Sequence, residues 1–117
     1  MPTPTEIRLN RSERRLSVTF DDGMRYELPA ELLRVESPSA EVQGHSPAER
    51  RTVAGKRHVG ITAVEPVGQY AVRLVFDDGH DSGIFSWDFL YALGRAQDRR
   101  WREYLAALAE KGLSRDP

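Results

Sequence analysis

The stretch Leu16-Ser-Val-Thr-Phe20-Asp-Asp-Gly23 indicates what kind of fold this chain adopts. Leu16, Val18 and Phe20 alternate with polar residues, and a period of two is typical of a strand that buries one face. The Asp-Asp-Gly that follows predicts a tight turn, because glycine accepts positive φ and aspartate caps turns through its side chain. Residues 25–28 return as a second strand, so the whole stretch predicts an antiparallel β-hairpin.

The same pattern recurs later in the chain as Val72-Arg-Leu-Val-Phe76-Asp-Asp-Gly79. Each copy continues into a strand and then into residues suited to a short helix. One interpretation is that Asp-Asp-Gly simply makes a good hairpin wherever it occurs. The other is a duplicated hairpin–helix unit with pseudo-symmetry. Neither interpretation specifies a function.

Further elements are predicted around the first hairpin. Residues 5–10 are expected to form a short strand before it, and Pro29 suits the first position of a helix over residues 30–35. Residues 37–60 have weak periodicity and several Pro, Gly and Ser residues. They predict a long loop with one short strand at residues 51–53, and loops of this length are often functional.

The second hairpin is flanked in a similar way. Residues 61–64 predict a strand that ends in a turn at Pro66. Residues 80–85 are expected to pair back as the return strand, and Ser86 is a good N-cap for the helix that follows. Apolar residues at helical spacing then predict a C-terminal helix, which ends near Gly112.

The length of 117 residues is typical of one domain. We expect one α+β domain over residues 1–112, with a small antiparallel sheet built from two β-hairpins, short helices and a C-terminal helix. Residues 113–117 are expected to form a loose tail.

Composition excludes several classes of function. The chain has no cysteine, which excludes disulfides, Cys-ligated zinc and thiol catalysis. A net charge of −1 gives no electrostatic case for binding nucleic acid or an acidic membrane. The N-terminus lacks the pattern of a signal peptide, and no apolar run approaches a membrane span. We therefore expect a cytoplasmic protein that binds neither nucleic acid nor membrane.

The histidines are the candidate metal ligands. His45, His80 and Asp78 or Asp81 would converge if the long loop folds over the second hairpin, and imidazole with carboxylates suits transition metals. No local ligand motif supports such a site. The alternative is that these histidines lie at the surface or make hydrogen bonds.

A protein-interaction surface is predicted from basic and aromatic residues. Arg50, Arg51, Lys56 and Arg57 make the long loop locally basic, and Trp87 is an aromatic residue of the type enriched at interfaces. The alternatives are a solvated charged face and ordinary core packing. The serines of the long loop lack a nucleophile-elbow context, so no catalytic residue is predicted and the chain is not expected to be an enzyme.

Several segments, taken together and in order, resemble the gamma-butyrobetaine hydroxylase-like N-terminal domain family. The resemblance covers residues 7–94. The segments that carry it are LPAELLR at 28–34, SPSAEVQGH at 37–45, GI at 60–61, EPVGQYAV at 65–72 and FDDGHDSGIFSW at 76–87.

The resemblance implies a fold more clearly than an activity. In the hydroxylases, this small domain precedes a separate oxygenase domain that holds iron and binds 2-oxoglutarate. A chain of 117 residues has no room for that domain, so no oxygenase activity is expected. Relatives of the domain are also attached to ATPases of Fe–S cluster assembly, which implies a role in metallocofactor handling or protein contact.

Some members of the family bind a structural zinc through a Cys-x-Cys-x-x-Cys run and a later histidine. Here the run falls on Ser37, Ser39 and Val42, and only His80 matches a ligand. We therefore expect no zinc or other cofactor. Ser37 and Ser39 are expected to bond to nearby backbone, and His45 is expected to approach the His80 region through a hydrogen bond.

The leading functional hypothesis is a non-catalytic binding or accessory module with a protein partner, serving as an adaptor in metallocofactor or Fe–S assembly. One alternative is a metal-binding protein that uses His45, His80 and nearby carboxylates such as Asp78. Another is a small enzyme with an unrecognised site.

Overall fold

Within residues 2–117, which the computed structural model describes, six strands form two three-stranded antiparallel sheets. The first sheet contains β1 (Pro4–Asn10), β2 (Arg15–Phe20) and β3 (Arg25–Pro29), and the second contains β4 (Ile61–Val67), β5 (Ala71–Phe76) and β6 (Ile84–Ser86). The α+β prediction is confirmed. Each predicted hairpin is extended by the strand that precedes it, and the hairpins belong to separate sheets.

The helices follow the strands in chain order. They are α1 (Ala30–Val35), α2 (Ala40–Gln43), α3 (Trp87–Arg95) and α4 (Gln97–Glu110), and a single 3-10 turn spans Pro47–Glu49. Ser86 caps α3 as predicted, since its Oγ accepts a hydrogen bond from the backbone N–H of Phe89 at 3.1 Å. Across the described residues, none of the helices is both long and apolar enough to cross a membrane.

The two sheets repeat one arrangement of three strands followed by a helix. The first strand of each sheet carries a register irregularity near its start. Backbone hydrogen bonds also repeat: Asp21 N–H donates to Thr3 O at 2.8 Å, and Asp77 N–H donates to Gly60 O at 2.9 Å. The two Asp-Asp-Gly turns are therefore parts of a larger arrangement that both sheets share.

The second copy contains one additional residue in its return strand. Leu16 pairs with Leu28 in the first sheet, whereas the equivalent Val72 pairs with Phe85, one residue further along the chain. The extra residue interrupts the ladder, so the prediction that residues 80–85 form the return strand is wrong. The strand begins at residue 84.

His80 is buried, although the equivalent position of the first copy is exposed. Phe20 N–H donates to Met24 O, and Phe76 N–H donates to His80 O, so Met24 and His80 are equivalent positions of the repeat. Met24 is 44% exposed but His80 is 4% exposed. The equivalent positions therefore differ in burial, because Ser37 and Glu41 contact the ring of His80.

One main apolar core joins both sheets, α1 and α3. The contact between α3 and β3 is especially close at Gly94, where a Cβ atom would lie 2.4 Å from the ring of Tyr26. Glycine therefore sits in the interior of α3 because a side chain would collide with the sheet. A smaller cluster contains Val35, Tyr104 and Leu108, and Trp101 packs against both clusters.

Two predictions about local structure are wrong. Residues 51–53 form no strand, and the loop that contains them instead includes α2 and the 3-10 turn. The strand predicted to end before Pro66 continues through it to Val67. Proline is tolerated there because β4 lies at the edge of its sheet.

The tail at residues 113–117 is not loose. The guanidinium of Arg115 donates two hydrogen bonds to the carboxylate of Glu31, at 2.8 and 2.7 Å, and lies over the ring of Trp101. The tail also accepts backbone hydrogen bonds from Gly55 and Arg57. The prediction failed because a short polar segment has no hydrophobic periodicity to reveal its distant partners.

Candidate functional site

A buried histidine lies between a serine and a glutamate, which both belong to the first residues of the long loop. His80 Nε2 is 2.9 Å from Ser37 Oγ, and His80 Nδ1 is 2.8 Å from Glu41 Oε2. Ser37 follows α1, Glu41 belongs to α2, and His80 follows β5. We call Ser37, Glu41 and His80 the His80 cluster.

Further hydrogen bonds fix the loop around this cluster. The backbone N–H of Ser39 donates to Ser37 Oγ at 3.3 Å, and Ser39 Oγ accepts from the backbone N–H of Glu41 at 3.1 Å, which caps α2. Ser39 Oγ also lies 2.7 Å from Ser82 Oγ. The prediction that Ser37 and Ser39 bond to nearby backbone is confirmed.

The backbone packs tightly over Ser37. A Cβ atom at Gly83 would lie 2.5 Å from Ser37 Oγ, so glycine permits the close approach of this segment. Ser37 is 0% exposed as a result, whereas the side chain of Glu41 is 66% exposed. The cluster is therefore closed at its serine end and open to solvent at its glutamate end.

The order serine, histidine, carboxylate is that of a hydrolase triad, but the exposure is reversed. In a triad the serine faces the substrate and the acid is the buried member that orients the imidazole. Here the hydroxyl is enclosed and the carboxylate is exposed. This arrangement suits a hydrogen-bonded anchor for the loop better than nucleophilic attack.

The residues predicted as metal ligands lie apart or are engaged elsewhere. His45 is exposed, and its backbone N–H donates to Glu49 Oε2 at 2.6 Å. The expected hydrogen bond between His45 and His80 is not formed, because both ring nitrogens of His80 are occupied by Ser37 and Glu41. Within residues 2–117 no group of three or more His, Asp or Glu residues could hold a metal ion.

Asp78 takes part in ion pairs next to the His80 cluster. Its Oδ2 lies 2.7 Å from both Arg34 Nε and Lys56 Nζ, and its Oδ1 accepts from the backbone N–H of His80 at 3.0 Å. Burial raises the pKa of the Asp78 carboxyl, but the hydrogen bonds from Lys56, His80 and Arg34 together lower that pKa to about 2. The carboxylate therefore holds α1 and the loop against the second hairpin.

The Asp78 contacts predict a loss of stability in acid. Because the folded-state pKa is below the ordinary value for an aspartate, the contribution of Asp78 is fully present above that ordinary value and is lost as pH falls towards about 2. Because solvent screens part of this interaction, the expected contribution is about 1 kcal/mol. Urea unfolding between pH 6 and pH 2.5 should show that the free energy of unfolding decreases less for Asp78→Asn than for wild type. Asp77→Asn makes the same charge change one residue away and should behave like wild type. If the free energy of unfolding falls equally with pH in all three proteins, the ion pairs of Asp78 do not account for the loss of stability in acid.

Loss of the Ser37 hydroxyl should destabilise the protein. Ser37→Ala leaves a ring nitrogen of buried His80 without its partner, so the free energy of unfolding should fall by about 1–2 kcal/mol. Denaturant unfolding measures this change, and hydrogen exchange should show faster exchange in α2. Ser46→Ala, at an exposed position of the same loop, should change neither. Equal effects of the two substitutions would show that the cluster does not anchor the loop.

The basic residues predicted for interaction have different environments. Arg50 pairs with Glu36, Arg57 with Asp116, and Lys56 with Asp78. Arg51 is exposed, and among the described residues it forms no ion pair. Trp87 is half-buried against the core, and its Nε1–H donates to Gln69 O at 2.8 Å. Core packing is thus the main role of Trp87.

The residues at the zinc-ligand positions do not fit zinc. Hydroxyl oxygens replace thiolates at Ser37 and Ser39, and the third position is Val42, which is buried and offers no donor atom. His80 Nε2 is already engaged with Ser37. Sequence reasoning missed Glu41, because no local pattern links it to His80, 39 positions further along the chain.

The comparisons with known proteins agree on one family. The model described as gamma-butyrobetaine hydroxylase-like, N-terminal, matches residues 7–91. Two proteins with NMR solution structures are 51% and 49% identical to this chain, with TM-scores of 0.88 and 0.86; the alignments cover 100% of this chain and 92% and 87% of theirs.

A crystal structure from Acidithiobacillus ferrooxidans ATCC 23270 is also similar, and its protein is described as having unknown function and belonging to the DUF971 family. It is 42% identical, with a TM-score of 0.66 over 79% of this chain and 92% of the other. Among curated proteins, none matches. The chain belongs to the gamma-butyrobetaine hydroxylase-like N-terminal family.

Proposed function

We propose that this protein is a non-catalytic, cytoplasmic interaction module that serves as an adaptor in metallocofactor or Fe–S cluster assembly. The observation that carries the non-catalytic part is the closed His80 cluster. Its serine is enclosed by backbone, its histidine has both ring nitrogens engaged, and its carboxylate faces solvent. The assembly context rests on the family, whose members are found attached to ATPases of Fe–S assembly.

The replaced donors at Ser37, Ser39 and Val42 support a role that needs no zinc. A loop that metal ligation holds in some relatives is here held by side-chain and backbone hydrogen bonds. The loop keeps a defined shape, which is what a binding surface requires, because ordering a flexible segment on association would cost affinity. The long loop is therefore a candidate contact surface for a partner.

The catalytic alternative is tested with a fluorophosphonate probe, which labels activated serines. Wild-type protein and Ser37→Ala are treated with the probe and analysed as intact proteins by mass spectrometry. We expect no adduct on either protein. An adduct on wild type that is absent from Ser37→Ala would assign nucleophilic chemistry to Ser37 and overturn the proposal.

The adaptor role is tested by affinity capture, with quantitative mass spectrometry of the bound proteins. Untagged protein immobilised through an engineered terminal residue should enrich components of metallocofactor assembly over an unrelated domain of equal size. Elemental analysis of the same preparation is a second test. Near-stoichiometric zinc or iron that disappears in His80→Ala would support the metal-binding alternative instead.

A further inference from the structure

A cleft with an excess of positive charge separates the end of the long loop from the last helix. Its volume is about 270 Å³, and we call it the basic cleft. Residues 50–53 form one wall, and α4 with Lys111 forms the other. Val35 and Ala107 contribute apolar surface to its lining.

One carboxylate at the cleft is shared by two guanidinium groups. Glu36 is buried, and its Oε2 lies 2.5 Å from Arg50 Nη2 and 3.4 Å from Arg100 Nη1. Arg100 Nε is buried and has no hydrogen-bond partner within residues 2–117. The group of Glu36, Arg50 and Arg100 therefore has one positive charge in excess.

Two more cations at the cleft form no ion pair with a described carboxylate, although Arg51 also borders Glu41 and Glu49 on a neighbouring surface. Lys111 Nζ donates to Thr52 Oγ1 at 2.7 Å, which is a neutral partner. Neither Arg51 nor Lys111 forms an ion pair with a described residue. Glu103 also lines the cleft, but its charge is balanced by Arg99 at 3.0 Å. This local excess contrasts with a net charge of −1 for the whole chain.

We infer that the basic cleft binds a short acidic segment of a partner protein, through carboxylates that meet Arg51 and Lys111. Aliphatic side chains next to those carboxylates would pack on Val35 and Ala107. Arg–carboxylate hydrogen bonds are strong and directional, and charge complementarity increases both association rate and specificity. The inference deepens the proposed function and rests on it.

Peptide is favoured over nucleic acid because the positive surface is small and local. Binding to a phosphate backbone gains its affinity from many phosphate contacts spread along a surface. The aromatic residue at the cleft, Tyr104, is buried and its hydroxyl donates to Val53 O at 2.6 Å, so it is not a stacking platform for bases.

The inference is tested by fluorescence anisotropy with a labelled peptide of three Glu-Leu repeats. Wild type should bind this peptide, and the affinity should fall steeply with added salt. Arg51→Glu and Lys111→Glu should each weaken binding at least about tenfold. Arg102→Glu is the matched control, since it makes the same charge change on the exposed surface of α4 away from the cleft, and it should change affinity less than about twofold.

Three results would overturn the inference: no binding of the Glu-Leu peptide to wild type, equal weakening by Arg102→Glu, or tighter binding of a thymidine 12-mer than of the peptide. Thermal melting of each variant confirms that it is folded. The proposed function fails separately, through labelling of Ser37 or through stoichiometric metal lost in His80→Ala. If capture of assembly proteins persists in Arg51→Glu and Lys111→Glu, the adaptor role stands and the basic cleft is not the docking surface.

Discussion

Arg115→Ala is expected to lower the free energy of unfolding by about 3 kcal/mol, although residue 115 lies only two positions before Pro117. The side chain of Glu31 is 8% exposed, and Arg115 is its bidentate partner. Removing the guanidinium leaves a buried carboxylate without a counter-charge, and it removes the contact with the ring of Trp101, 5.1 Å from the Arg115 Cζ.

Urea unfolding at neutral pH measures this effect against a control in the same region. Arg57→Ala breaks the exposed ion pair with Asp116 and should cost less than about 1 kcal/mol. Adding Glu31→Gln to Arg115→Ala should recover part of the loss, because the buried charge is then removed. If Arg115→Ala and Arg57→Ala cost the same, the tail is not anchored through Glu31.

The triple variant Ser37→Cys, Ser39→Cys, Val42→Cys is expected to bind about one zinc ion per chain. It restores the Cys-x-Cys-x-x-Cys run of zinc-binding relatives next to His80. The Nδ1 of His80 already pairs with Glu41, and a carboxylate on that nitrogen orients a zinc-bound imidazole and leaves Nε2 for the metal. Structural zinc sites have apparent binding free energies of about 10–16 kcal/mol, so the effect on stability should be large.

A colorimetric chelator measures the zinc content, and thermal melting with and without chelator measures the coupling to folding. The matched control adds His80→Ala to the three cysteines, and it should bind zinc far more weakly. A triple variant with no more zinc than wild type would show that this loop no longer has the shape of a ligand site. Its failure would leave the Ser37 prediction intact, because that prediction concerns hydrogen bonds in the present protein.

Sequence alone predicted those elements whose stability depends on neighbouring residues. The alternation at residues 16–20 defines a strand, and Asp-Asp-Gly defines the turn after it. The Ser86 cap of α3 was predicted for the same reason, since its partner is three residues away. The repeat was visible in the sequence as two similar segments, but the strand arrangement and the backbone hydrogen bonds were needed to establish it.

Part of the candidate site was also visible in the sequence. The resemblance pointed to Ser37, Ser39 and His80, and these residues do lie together. Glu41 was missed because a lone glutamate in a polar loop is indistinguishable from a solvated charge. His45 was predicted to join them, but the short helix and turn within the loop direct its backbone to Glu49 instead.

The tertiary structure decided everything that depends on contacts between distant segments. Ser37 and His80 are 43 positions apart, and Arg115 and Glu31 are 84 positions apart. Polar pairs of this kind leave no periodicity in the sequence. Each involves one residue from each segment, whereas a buried face of a strand or helix repeats at regular spacing. Periodic burial therefore fixed the strands and helices of this protein from its sequence, whereas the anchored loop, the docked tail and the charge of the basic cleft arise from how those elements pack.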